Sequence, residues 1–209
     1  PLVRTRALMR WITSANVACG GHAGDARSMR ACVRIAKQSG VKLGAHPGPW
    51  SRADRGRGPV RLTAVELELL LLQQVGALEK IAAGERVRLH HVKLHGALYH
   101  AVEADARLAR AYVHCVATHW PAAKIYALAG GRVVREAMRA GVPCLAEGFA
   151  DRAYLADGRL VIHPARSGWC APFGPGSGGM PCHPAPAATA EFGHRRPAGG
   201  IQVVQPRGG

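Results

Sequence analysis

Acidic residues are scarce in this chain: 13 Asp+Glu stand against 28 Lys+Arg, a formal net charge of +15 over 209 residues. Such an excess raises the prospect of a polyanionic partner. The pattern does not support it, because the arginines are spread over every segment, no Lys/Arg-rich block occurs, and aromatics make up only 5%. No nucleic-acid partner is therefore expected. No run of about 18 uncharged apolar residues is present, so no membrane-spanning helix is expected. The most apolar stretch, Leu67–Leu78, is interrupted by Glu68, Gln73 and Gln74. The first eleven residues are basic and lack the apolar core and small-residue cleavage site of a secretory signal. A cytoplasmic location is expected. None of the six cysteines forms a CxxC pair, which excludes a zinc ribbon and a thioredoxin-like motif. Buried, reduced thiols are expected, with a reactive Cys19 as a further candidate. A phosphate-binding GxxxxGK[ST] loop and a GxSxG nucleophile elbow are also missing.

What is present is a repeated layout. Ile12–Cys19 reads as a strand that runs into the glycine-rich turn 20–25, and a helix over 25–39 follows, with Asp25 as N-cap and Gly40 as its stop. Further strands are predicted over 41–45, 88–94, 124–129 and 142–149. Helices are predicted over 63–83, 105–118 and 132–140. Thr63 and Glu66 make a capping box at the start of the strongest helix, whose Leu67, Leu70, Leu71, Val75 and Leu78 keep the 3.6 period. Residues 49–61 read as a polar loop. Strands alternating with helices imply a parallel sheet. From Val161 onward the chain holds 10 Gly and 8 Pro in 49 residues and loses all periodicity, which predicts disorder.

The strand ends carry the chemistry. His22 and Asp25 stand three apart at a helix start, where they form a general acid/base pair or half of a metal site; equally, Asp25 caps the helix and His22 is a turn residue. His46 sits between Gly44-Ala45 and Pro47-Gly48, as a site group or a histidine packed in a turn. Lys93 and His95 alternate along a strand and face one side. A lysine there needs a phosphate, a carboxylate or Asp151 as partner, unless it reaches water. Asp151-Arg152 closes the fifth strand, in a substrate role or as a structural pair. Asn16, an amide in mid-strand, requires a specific partner. His90, His91, His100, His114 and His119 read as surface residues.

Four segments in this order, ITSANVACGGHAGD, VKLGAHPG, VKLHGALYH and EGFADRAYLADGRL, closely resemble the LamB/YcsF family over roughly residues 7–160. Asp54-Arg55-Gly56-Arg57 resembles a further family segment in altered form. The resemblance implies an α/β fold: a seven-stranded β/α barrel related to the glycoside hydrolase/deacetylase barrels. It implies ATP-dependent hydrolysis of 5-oxo-L-proline to L-glutamate, with ATP and Mg2+ as cofactors and two partner subunits, B and C. It draws the site from Asn16, His22, Asp25, His46, Arg57, Lys93, His95, Asp151 and Arg152. Among these, His22, Asp25, His46 and His95 are the catalytic candidates and the rest bind substrate or phosphate.

The family's first strand, with its acidic residues, has no match here, and the chain diverges after residue 160, as an out-of-frame translation of a GC-rich gene or, alternatively, a natural truncated paralogue would. The expectation is an incomplete barrel over residues 1–160, five of seven strands with exposed edges, and a disordered tail over 161–209. Two other functions compete: a metal-dependent amide or sugar hydrolase using the same histidines, and a non-catalytic polyanion-binding protein, which would bind DNA with steep salt dependence.

Overall fold

The computed structural model describes residues 2–149, together with the backbone of 188–189 and 201–206. Its centre is a curled sheet of five parallel strands, β1 (Ile12–Ala18), β2 (Lys42–His46), β3 (Leu89–Val92), β4 (Lys124–Leu128) and β5 (Cys144–Phe149), each hydrogen-bonded to the next in chain order. Sequential parallel strands joined by helices curl as they twist, and the result is a half-barrel. The edges expected to be open each carry one more strand: β7 (Ile201–Pro206) pairs antiparallel with β1, and β6 (Ala188–Thr189) pairs parallel with β5. Most of the segment expected to be disordered lies outside the described residues, as do Asp151 and Arg152.

The helices form where their caps and apolar stripes place them. A short α1 (Leu2–Leu8) precedes β1. In α2 (Ala26–Gln38) the Asp25 side chain accepts from the backbone N–H of Ser28, whose hydroxyl reciprocates. Gly40 follows at φ 64°, a left-handed conformation that a side chain would strain. In α3 (Ala64–Gly84) Thr63 and Glu66 form the expected capping box. This helix runs through Gly84; the turn falls at Arg86, φ 58°. α5 (Ala106–His119) and α6 (Arg132–Arg139) match expectation to within a residue or two. Besides α1, α4 (Gly96–Ala104) was not predicted, because it starts on a glycine and its N-cap, His95, makes no side-chain capping bond. The core lies between the sheet's convex side and these helices. Val17, Ala45, Leu67, Leu71, Val92 and Ile125 are at most 1% exposed.

The other side of the sheet is polar. Side chains alternate along a strand, so the residues opposite that core are Asn16 on β1, Gly44 on β2, His91 and Lys93 on and after β3, Tyr126 on β4 and Glu147 on β5. All of these residues are buried. Register places Asn16 beside Gly44 and Gly44 beside His91. His91, expected at the surface, is instead fully buried. Gly44 makes this fit, since a Cβ there would stand 1.9 Å from His91 Nε2. The ring crosses β2 through that gap, donates from Nε2 to Asn16 Oδ1 at 2.7 Å, and stacks on Tyr126 at 4.0 Å. The Asn16 amide oxygen thus has a specific partner, while its Nδ2 finds none among the described residues.

Candidate active site

Three histidines from three successive strand ends meet at the carboxyl edge of the sheet. β3 ends formally at Val92, yet its backbone continues to pair: Lys93 N–H donates to Ala45 O and His95 N–H to Pro47 O. That continuation sets His95 beside His46. His46 Nε2 lies 2.9 Å from His95 Nδ1, and His46 Nδ1 lies 2.7 Å from Lys93 O. His22, in the turn after β1, stacks on His95 with ring centroids 3.6 Å apart and planes 6° from parallel, and meets His46 edge-on.

Loops and a helix hold this cluster from outside. Gln74, on the inward face of α3 and 1% exposed, grips the backbone of one residue on both sides: its Oε1 accepts from Gly48 N–H and its Nε2 donates to Gly48 O. Gly48 in turn lies against His22, where a Cβ would stand 2.2 Å from Nδ1. The loop 51–58 covers the rings. Gly56 packs against His22 and His95, and Arg55 O accepts from His95 Nε2 at 2.8 Å. Asp54 stabilises the loop by accepting from Gly56 and Gly58 N–H, and Arg52 ties it to Gly20 O and Gly24 O.

Below the histidines is a buried ion pair. Lys93 Nζ lies 2.9 Å from Glu147 Oε2, with side-chain exposures of 3% and 0%, and 4.8 Å from the Phe149 ring centroid. The partner that Lys93 needs is therefore Glu147; Asp151, the carboxylate named from sequence, lies outside the described residues.

Electrostatics keep the buried rings neutral. Burial, followed by the charges of His95, Arg52 and Arg57, lowers His22 to about 3. Burial first, then His95, His22 and Lys93, puts His46 well below the ordinary histidine value. Cys19 is not a nucleophile: its buried thiol is pushed up to about 12 and its sulfur is used structurally, donating to Val17 O and accepting from His46 N–H.

The predicted site residues separate into groups. His22, His46 and His95 converge, with Lys93 beneath them. Asn16 lies one layer deeper, on His91. Arg57 is exposed on the covering loop, near enough to act on His22 through its charge. Asp25 is exposed and occupied with capping α2, so it does not join the cluster. Gln74, His91 and Glu147 were not anticipated.

A single metal ion does not suit the rings as they stand, although nitrogen atoms of all three lie within 4.8 Å of one another. An ion bound by imidazole lies in the ring plane, and the near-parallel planes of His22 and His95 do not meet at a common ligand position. Nor do the described residues beside the cluster fit an ATP·Mg2+ group. Magnesium takes carboxylate oxygens, but Glu147 is held by Lys93, Asp54 by its own loop, and Asp25 by α2.

Residues 2–168 match the LamB/YcsF family. The chain belongs to the LamB/YcsF family. It is 46% identical over 159 residues to the A subunit of 5-oxoprolinase from Erwinia tasmaniensis, covering 76% of this chain and 65% of that protein. It is also 46% identical over 154 residues to the corresponding 5-oxoprolinase protein of Pyrococcus furiosus, covering 74% and 60%. In structure it resembles the lactam utilization protein from Thermus thermophilus, with a TM-score of 0.72 and 38% identity over 76% of this chain and 64% of that one. This LamB/YcsF chain thus spans somewhat less than two thirds of these relatives. Among its described residues no helix is long and apolar enough to cross a membrane.

Proposed function

We propose that this chain acts in the opening of a cyclic amide, as the A component of an ATP-dependent 5-oxoprolinase that converts 5-oxo-L-proline to L-glutamate together with subunits B and C. The observation that carries the reading is the convergence of His22, His46 and His95 at the carboxyl ends of adjacent strands, where α/β folds place their sites, in a chain whose relatives are named for 5-oxoprolinase and for lactam utilization. Ring opening needs a group that takes a proton from water and one that gives a proton to nitrogen. A cluster of imidazoles beside Arg57 supplies both functions and favours an anionic substrate. The reading places the chain in the cytoplasm and ascribes the ATP requirement to the assembled complex.

The test is reconstitution. The chain, mixed with subunits B and C, 5-oxoproline and ATP, should release glutamate only when all are present. His46→Ala or His95→Ala should abolish turnover while circular dichroism stays native. No glutamate from the complete mixture, or near-normal turnover by both variants, overturns the reading.

A further inference from the structure

The hydrogen bonds of the histidine cluster determine how many protons it holds. A backbone carbonyl only accepts. His46 Nδ1, 2.7 Å from Lys93 O, and His95 Nε2, 2.8 Å from Arg55 O, are therefore both N–H donors. A neutral imidazole carries one N–H. If both rings were neutral, His46 Nε2 and His95 Nδ1 would face each other at 2.9 Å with a lone pair apiece. Two acceptors at hydrogen-bond distance repel; one proton between them turns the contact into a charge-assisted hydrogen bond.

We propose that His46 and His95 share one proton, so that the pair is a singly charged imidazole–imidazolium unit, and that this proton is the one given to the leaving nitrogen of a cyclic amide. The second part rests on the function proposed above. Charges around the pair agree with a single proton. His22 is neutral and offers its ring face to His95 rather than a second charge. Lys93 is offset by Glu147. Arg52 is tied to the carbonyls of Gly20 and Gly24, and Arg57 lies on the covering loop with Asp54. Burial is deeper at His46 than at His95, and His46 resists protonation, so the charge rests mainly on His95, the ring nearer solvent. In the reaction, water oxygen bonds to the carbonyl carbon and the C–N bond breaks. The electron pair stays on nitrogen, nitrogen takes the shared proton, and the proton released by water restores the pair.

The experiment is nitrogen-15 NMR of the full chain labelled on histidine, with ring signals assigned through His22→Gln, His46→Gln and His95→Gln. The expected result near pH 7.5 is three protonated nitrogens among the four of His46 and His95, with one proton resonance far downfield that disappears in His95→Gln. Two protonated nitrogens, with both facing nitrogens bare, overturns the proposal, including the case where elemental analysis finds a transition-metal ion between them. In the reconstituted complex, His95→Gln should lower kcat by about a hundredfold to ten-thousandfold with KM little changed; a loss confined to KM overturns the proton-donor role. A shared proton in a chain that never opens 5-oxoproline refutes the proposed function and leaves the pair standing. Turnover with two bare nitrogens does the reverse.

Discussion

Replacing Lys93 by Met removes one charge from a place where the other cannot escape to water. Lys93 Nζ and Glu147 Oε2 are 2.9 Å apart, so their attraction at an effective dielectric of about 20 is roughly 6 kcal/mol. Taking each ion out of water costs several kcal/mol, and the pair as a whole contributes little net stability. A single replacement is different. Among the described residues the Glu147 carboxylate has no hydrogen-bond partner to take over from Lys93, so Lys93→Met leaves a buried, uncompensated anion. The expected loss is about 3–5 kcal/mol, a large share of the roughly 5–15 kcal/mol that holds an ordinary domain together. Glu147→Gln, which strands the lysine, should cost a similar amount. The double variant Lys93→Met/Glu147→Leu should recover most of the loss, because both charges go together and apolar volume remains. Urea unfolding followed by tryptophan fluorescence reads all three. A cost below about 1 kcal/mol for either single variant, or a double variant as unstable as the sum of the two, would refute the description of this pair as mutually dependent and dry.

Gly44→Ala drives a methyl group into the His91 ring, which must leave Asn16; a loss of at least about 1–3 kcal/mol is expected in thermal unfolding, and His91→Ala in the same chain should relieve part of it. Acid should weaken the fold early. His22 and His91 are held neutral by burial and take up protons only on unfolding, so their stabilisation is complete above about pH 6.5 and falls as pH drops toward the folded-state values, by about 1.4 kcal/mol per pH unit for each. Urea midpoints that stay flat from about pH 7 to about pH 5 would contradict this. Asp25→Ala removes the α2 cap and should cost about 1 kcal/mol in stability while leaving reconstituted turnover within about twofold; a loss of activity comparable to that of His46→Ala would put Asp25 back in the site.

The elements were legible because their signals are local. Capping at Asp25 and at Thr63/Glu66, the apolar stripe of α3, and Gly40 and Gly141 after α2 and α6 act within a few residues, and the structure keeps them, whereas α3 runs on through Gly84. α4 escaped because it begins at Gly96 with no capping side chain, so only the apolar spacing of Leu98, Tyr99 and Val102 marked it. The convergence of His22, His46 and His95 was also readable. Each ends a hydrophobic run beside glycine, and parallel strands in sequential order bring such ends to one edge.

The interior polar layer was harder to see, and the reason is geometric. His91 precedes Lys93 by two positions and Lys93 precedes His95 by two, so strand alternation alone places all three on one face. The lysine was recognised as anomalous there; the histidine drew no attention because a lone histidine suits a surface equally well. What separates the two cases is the residue across the strand pair. Gly44 leaves no side chain on the face where His91 must pass, and the pairing of Gly44 with His91 and of Asn16 with Gly44 lines up a polar group, a gap and a polar group across three strands. Glu147 carries the same kind of signal, a charge inside an apolar strand, and it completes Lys93. Two buried charges that each look misplaced in separate strands of one sheet are better paired with each other than explained one at a time, since neither can be desolvated alone. Applied to this sequence, that rule joins Lys93 to Glu147 once both strands are assigned to the same sheet.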